Sequence, residues 1–309
     1  MRYAALLAAS AAVVAVFTLP RDGRGSSTPA PAVAPVEPAQ ALSARQQDMQ
    51  EDFRWSGRIA RGDEIEIRGL VGDVEATPAS GDQVEVIGRR IGRDADQVRI
   101  EVMETDDGVV ICTIYPRRWS RGDDDDGRRS RRGGDGPCDH ERSGELDVDS
   151  DEARIEFTVR VPAGVRFAAK TVAGDIRAND LRGPVDAASV SGNVRVSTTG
   201  TARAATVSGN VDATFGETDG DDMEFASVSG NVVVRLAGDV GARVEAHTLS
   251  GDIESDFDLR MRPGNDDDDD DHGGFRIEIG RQATGTIGRG GPELSLNTVS
   301  GNIRLVRGR

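Results

Sequence analysis

The sequence predicts an all-β fold: a β-solenoid, β-helix-like, of stacked 17–21-residue coils, with an N-terminal β segment and a disordered charged insert. Three observations carry this. A short motif, Val-Ser-Gly-Asn-Val in its fullest form, recurs along the chain. Apolar and polar residues alternate with period two between the copies. Glycine is abundant at 38 of 309 residues, while aromatics are 4% and apolar residues 37%. A core poor in large side chains must be thin and built from many small and β-branched ones.

The motif occurs seven times, centred on Gly72, Gly174, Gly192, Gly209, Gly230, Gly251 and Gly301. The next residue is Asp73, Asp175, Asn193, Asn210, Asn231, Asp252 or Asn302, and the one after it is always Val or Ile. Two residues before the glycine stand Leu70, Val172, Val190, Val207, Val228, Leu249 and Val299. Strand parity puts positions −2 and +2, and the glycine with them, on one inward face, with Ser and Asn or Asp outward. Stacked copies would form an Asn ladder, each amide bonding to the next rung. From Gly174 to Gly251 the glycines are 18, 17, 21 and 21 residues apart. No single coil of that length buries its apolar face, but a stack does. The first gap, 102 residues, holds further strands and a charged loop; the last, 50 residues, reads as one coil with an insertion. Rungs about 4.8 Å apart make a rod about 30 Å long.

Along the chain, residues 1–20 form a signal peptide or an N-terminal anchor: Arg2, then an uncharged, mostly apolar run from Ala4 to Leu19, stopped by Pro20. The run is shorter than the roughly 20 residues of a membrane span. Small-x-small sites such as Ala32-Val33-Ala34 stand far from it, so cleavage and tethering both stay open. Residues 21–52 are a Pro/Ala-rich linker, whose last part, Leu42 to Asp52, could form a short helical turn. An N-terminal β segment follows over 53–163, with strands at Ile65–Ile67, Val84–Val86, Val98–Val102, Val109–Tyr115 and Ile155–Val161. It is interrupted by the charged insert 116–153, with Asp123 to Asp126 among clustered arginines. The repeats occupy 164–309 and contain an acidic insert, 262–274, before a strand at Phe275–Ile279. No amphipathic helix follows residue 52.

The net charge of −16 repels nucleic acid and anionic lipid. Two cysteines, Cys112 and Cys138, suit a disulfide in an oxidising compartment, against the alternative of two unpaired thiols. His140, His247 and His272 form no zinc-ligand spacing, and Cys138-Asp139-His140-Glu141 suits no common site. The run Asp266, Asp267, Asp268, Asp269, Asp270, Asp271 supplies carboxylate oxygens for calcium but lacks the spacing and turn glycines of a dedicated loop, so a solvated acidic insert is the plainer reading. No nucleophile elbow or phosphate loop occurs, and no cofactor is implied. A polysaccharide-cleaving solenoid needs clustered carboxylates; here Asp175 and Asp252 are separated by asparagine rungs, and asparagine is no general acid.

The repeated Val-Ser-Gly-Asn/Asp-Val, preceded by Ile65-Glu66-Ile67-Arg68-Gly69-Leu70-Val71-Gly72-Asp73-Val74, resembles the bacterial "putative adhesin" family, a β-strand-repeat domain of unknown function, over residues 53 to 309. The resemblance implies a β-helical fold and an envelope location, and carries over no catalytic residue or ligand. The expectation is an exported, non-catalytic, periplasmic or cell-surface β-repeat protein, an adhesin or structural module that meets an envelope protein or glycan. A glycan-active β-helix enzyme and an envelope-stress regulatory partner are the alternatives.

Overall fold

The computed structural model describes residues 52–115, 138, 153–216, 222–236, 240–263 and 280–308, which belong to one compact unit, Met49–Arg309. The signal or anchor segment, the linker up to residue 51, the strand at Phe275–Ile279, the calcium candidate Asp266–Asp271, and the charged insert apart from Cys138 and Ala153 lie outside the described residues.

The described chain is all-β apart from a single turn of 3₁₀ helix at Ala95–Gln97. Its first strands are β1 (Phe53–Gly57), β2 (Glu64–Arg68), β3 (Val74–Pro78), β4 (Val84–Ile91), β5 (Arg99–Thr105), β6 (Gly108–Ile114) and β7 (Arg154–Val161). The repeats follow as β8 (Arg166–Ala173), β9 (Ile176–Leu181), β10 (Val185–Ser191), β11 (Val194–Thr198), β12 (Ala202–Ser208) and β13 (Val211–Phe215). They continue with β14 (Met223–Ser229), β15 (Val232–Leu236), β16 (Ala242–Ser250) and β17 (Ile253–Ser255). The last strands are β18 (Arg260–Pro263), β19 (Arg281–Ile287), β20 (Glu293–Ser300) and β21 (Ile303–Arg307).

Each motif glycine is a corner. The strand before it joins one sheet, and the strand after it joins the other. One sheet has the order β1-β4-β7-β3-β9-β11-β13-β15-β21-β17 and the other β18-β19-β16-β20-β14-β12-β10-β8-β2-β6-β5. One strand from each sheet makes a rung, as β10 and β11 do around Gly192. Rungs pair in parallel through both sheets: Val185 opposite Ala202, Val194 opposite Val211. A parallel stack is what a coil that always winds the same way must give.

The space between the sheets is filled by alternate residues. On one side Ala169, Ala187, Ala204 and Ala246 are buried, and on the other Ala76, Ala178, Val196 and Ala213. Such small groups let the sheets approach closely. Where the filling grows, Phe215 and Phe225 stack with ring centres 5.5 Å apart. Antiparallel strands close the stack. At one end β4 lies on β7 with β1 on its outer side, while β5 lies on β6. At the other β19 lies on β16 and β18 on β19. The caps cover both sheets at the first end and one sheet at the other, where the three-residue β17 is left as the edge.

Two expectations need correction. The first concerns order. In space the rungs run β6/β7, β2/β3, β8/β9, β10/β11, β12/β13, β14/β15, β20/β21, β16/β17. The C-terminal rung around Gly301 thus sits between those of Gly230 and Gly251. The 50-residue gap is not one coil with an insertion. It carries the antiparallel β18 and β19 and a return path that brings β20 back between β14 and β16. The second concerns facing. Position +2 is inward as expected, but position −2 is not. Val172, Val190, Val207, Val228, Leu249 and Val299 are all exposed. In the six later copies the inward residue before the corner is at −3, a Thr or Ser, while in the first, where −3 is Gly69, Leu70 at −2 is buried. Parity holds only within an uninterrupted strand, and the corner resets it: −2, −1 and +1 all face outward across the bend.

Candidate interaction surface at the glycine corner

The corner is specified by backbone contact. A Cβ on Gly192 would lie 2.0 Å from the Gly174 carbonyl oxygen, and one on Gly209 would lie 2.1 Å from that of Gly192. Gly230, Gly301 and Gly251 repeat the contact with Gly209, Gly230 and Gly301. No side chain fits there. The backbone also adopts positive φ, 152° at Gly209, which a Cβ disfavours. The glycine is therefore a point of close approach between rungs.

Two hydrogen-bond ladders flank it. On the inside, the buried hydroxyl at −3 donates to the glycine carbonyl of the preceding rung. Ser189 reaches Gly174 at 3.0 Å, and Thr206 reaches Gly192 at 2.9 Å. Ser227 reaches Gly209, Thr298 reaches Gly230 and Thr248 reaches Gly301, all at 2.9 Å. A buried hydroxyl needs such a partner, and here it ties each corner to the next. On the outside, the Asn or Asp side chain at +1 accepts from the backbone N–H of the next rung. Asn193 N–H donates to Asp175 Oδ1 at 2.8 Å, Asn210 N–H to Asn193 Oδ1 at 3.0 Å, and Asn231 N–H to Asn210 Oδ1 at 2.9 Å. Asn302 and Asp252 continue the series at 2.8 Å each. The ladder the sequence suggested is present in a different form. Side-chain amides also donate at Asn193 and Asn210, but the recurring bond needs only an acceptor oxygen. Asp and Asn therefore interchange at this position.

Between these ladders lies what the fold does not consume. Val172, Val190, Val207, Val228, Val299 and Leu249 follow one another in spatial order, one per rung, and each is more than 40% exposed. At about 4.8 Å per rung the stripe is about 24 Å long. Exposed Ser191, Ser208, Ser229, Ser300 and Ser250 run along one side of it. Half-buried Ala188, Ala205 and Ala226 widen its middle on the other side. The equivalent residue in the β2/β3 rung, Leu70, is only 6% exposed. There the end of β6 and Tyr115 just after it crowd the corner: Thr113 accepts from Leu70 N–H, and the Tyr115 hydroxyl donates to Val71 O at 3.2 Å. Burial pushes the Tyr115 phenol up to about 12, against the effect of that hydrogen bond.

Arg177 bridges Asp73 and Asp175 at 3.1 and 2.5 Å, and Arg281 pairs with Asp252. On the outer face of β2, Glu66 is 4% exposed and meets Arg68 at 2.7 Å and Lys170 at 3.0 Å. Burial pushes its carboxyl up, but the hydrogen bonds and charges of Arg68 and Lys170 outweigh this and hold it below the ordinary value. Neighbouring Glu64 is shifted the other way, by burial and by the Glu66 charge.

Asp175 and Asp252, the two ladder carboxylates weighed as an acid–base pair, do not meet. The rungs of Asn193, Asn210, Asn231 and Asn302 lie between them, so they are about 24 Å apart, whereas paired glycosidase carboxylates stand about 5–10 Å apart. Cys112 and Cys138 are joined in a disulfide with Cα atoms 5.7 Å apart. They pack with Val110, Met103 and Ile114 in a small cluster separate from the main core. His247 is exposed on β16; His140 and His272 lie outside the described residues. Among the described residues no group of three or more His, Cys, Asp or Glu is placed to hold a metal ion. No described helix is long and apolar enough to cross a membrane. The exposed stripe itself was missed from sequence, because parity drew it inside.

Comparison with solved structures returns proteins at low identity and low structural overlap. A "putative cell adhesion protein" from Clostridium sporogenes is 9% identical, with a TM-score of 0.42 over 84% of this chain and 100% of that one. A "putative adhesin" from Bacteroides fragilis is 12% identical, with a TM-score of 0.26 over 83% and 98%. At these values neither carries an argument about this chain. No curated protein matches the chain. The family model described as Toastrack DUF4097 matches residues 60–306, which run from before β2 into β21, and the chain belongs to that family.

Proposed function

We propose that this chain is an exported, non-catalytic cell-envelope module that binds a protein partner along its aliphatic stripe. The carrying observation is the exposure of Val172, Val190, Val207, Val228, Val299 and Leu249 in six successive rungs. A single exposed valine needs no explanation, but a contiguous row with a polar rim is how interaction surfaces are built. The fold does not require it, since each side chain projects away from both ladders and from the core. The stripe has no aromatic ring on which a sugar could stack, so a protein is favoured over a glycan. The apolar run within residues 1–20 and the linker 21–52 supply export and reach, either as a cleaved signal or as a retained tether.

The test uses the full chain expressed in an exporting host. Val190→Ser, Val207→Ser and Val228→Ser combined should leave the thermal melt near that of the parent and abolish cross-linking to envelope proteins. Equal cross-linking by parent and variant would sink the reading. N-terminal sequencing of the exported protein separates cleavage from tethering.

A further inference from the structure

We propose that the slot between the β14/β15 and β16/β17 rungs is a binding site for a β20/β21 coil, and that a second copy of the chain can supply that coil. The coil is a late insertion into a stack whose flanking rungs both precede it in sequence. β20 lies between β14 and β16, and β21 between β15 and β17. Without it, β14 and β16 would face each other across two strand spacings, about 9.6 Å, with both edges unpaired.

The strand pairing and both ladders that hold the coil come from those two rungs, and Asp222, Asp256 and Phe257 beside them add contacts to Glu293 and Arg307. Gly230 N–H donates to Ser300 O, and Val232 N–H to Asn302 O. On the other side Gly301 N–H donates to Ser250 O, and Ile303 N–H to Asp252 O. Both side-chain ladders run through it: Thr298 to Gly230 and Thr248 to Gly301 on the inside, Asn302 to Asn231 and Asp252 to Asn302 on the outside. Leu294, Leu296, Ile303 and Leu305 complete the core at 1% exposure or less. The coil makes no strand pairing with β18 or β19, which precede it in the chain. A coil from another copy would therefore form the same bonds in the same register.

The connection supports exchange. Residues 288–292, Gly-Arg-Gly-Gly-Pro, carry the chain over the start of β16, from Ile287 opposite Ala242 to Glu293 opposite Arg243. The crossing is tight: a Cβ on Gly241 would lie 2.4 Å from Gly290 O, and one on Gly291 would lie 2.5 Å from Gly241 O. A short, glycine-rich, crowded hinge before a terminal element is the arrangement from which reciprocal swapping arises at low cost.

Deleting Gly288–Gly290 from the full chain shortens the crossing, so the coil reaches a neighbour's slot more readily than its own. The variant should elute as a dimer by light scattering, and mixtures of isotopically labelled and unlabelled chains refolded together should form mixed dimers. A folded monomer would overturn the proposal. Should this variant fail to fold, a protease site placed in the 288–291 loop of the full chain allows cleavage after folding. The nicked protein is then incubated with excess labelled peptide of residues 292–309 and read by native mass spectrometry. Labelled peptide should replace the native coil below the denaturant midpoint for global unfolding. Replacement only at that midpoint would mean that the coil is not a separable, exchangeable unit.

Discussion

Val190 and Val194 stand on either side of Gly192 in one copy of the motif and meet opposite surroundings. Val194 is 0% exposed, against the core; Val190 is 46% exposed, in the stripe. The same side chain serves stability on one side of the corner and faces solvent on the other. The inner side of the corner is over-determined, with a glycine no other residue can replace, a buried hydroxyl aimed at a carbonyl, and a β-branched residue in the core. The outer side carries only an acceptor oxygen that the fold uses and a valine that it does not. Repetition in a solenoid is therefore of two kinds. One kind is repetition that stacking demands, and the other is a surface replicated along with it.

Substitutions within the middle rungs rank these roles. Gly209→Ala should have the largest effect, because its Cβ would clash with Gly192 O at a strained φ. A loss of about 3–5 kcal/mol in a urea melt, or failure to fold, is expected. Val194→Ala removes buried methyl groups and should cost about 2–3 kcal/mol in the same melt. Thr206→Val keeps the shape but withdraws the donor from Gly192 O, and should cost about 1–2 kcal/mol. At the outer ladder Asn210→Leu should lose about 1 kcal/mol, while Asn210→Asp, which keeps the acceptor for Asn231 N–H, should stay within about 0.5 kcal/mol. If Asp cost as much as Leu, the ladder would depend on side-chain amides after all. Val190→Ala should be smallest, within about 0.5 kcal/mol. A loss at Val190 matching that at Val194 would erase the distinction between the two sides.

Much of this was legible in the sequence because its causes are local. The nearly continuous apolar run at Val109–Tyr115 announces β6, the alternation at Ile155–Val161 announces β7, and a glycine followed by Asn or Asp marks each corner. The stripe was not legible. Counting by two from Val194 back to Val190 carries the parity through Gly192, where the bend breaks it. The buried position, Ser189, is polar and reads as exposed until the Gly174 carbonyl beside it is seen. Glu66 misleads likewise. A carboxylate in an alternating strand reads as solvated, and only Lys170, brought alongside by the pairing of β2 with β8, supplies its second cation.

By itself the sequence determined the strand type, the repeat, the corner positions and the acceptor at +1, since each follows from sterics or hydrogen bonding within a few residues. Tertiary structure alone decided which valine faces out and in what order the rungs stack. Seven nearly identical motifs offer nearly identical edges, so nothing local says that the Gly301 rung belongs beside that of Gly230. That choice rests on pairing between distant segments, on the β18 and β19 strands that close the far end, and on the short glycine-rich crossing that brings the chain back.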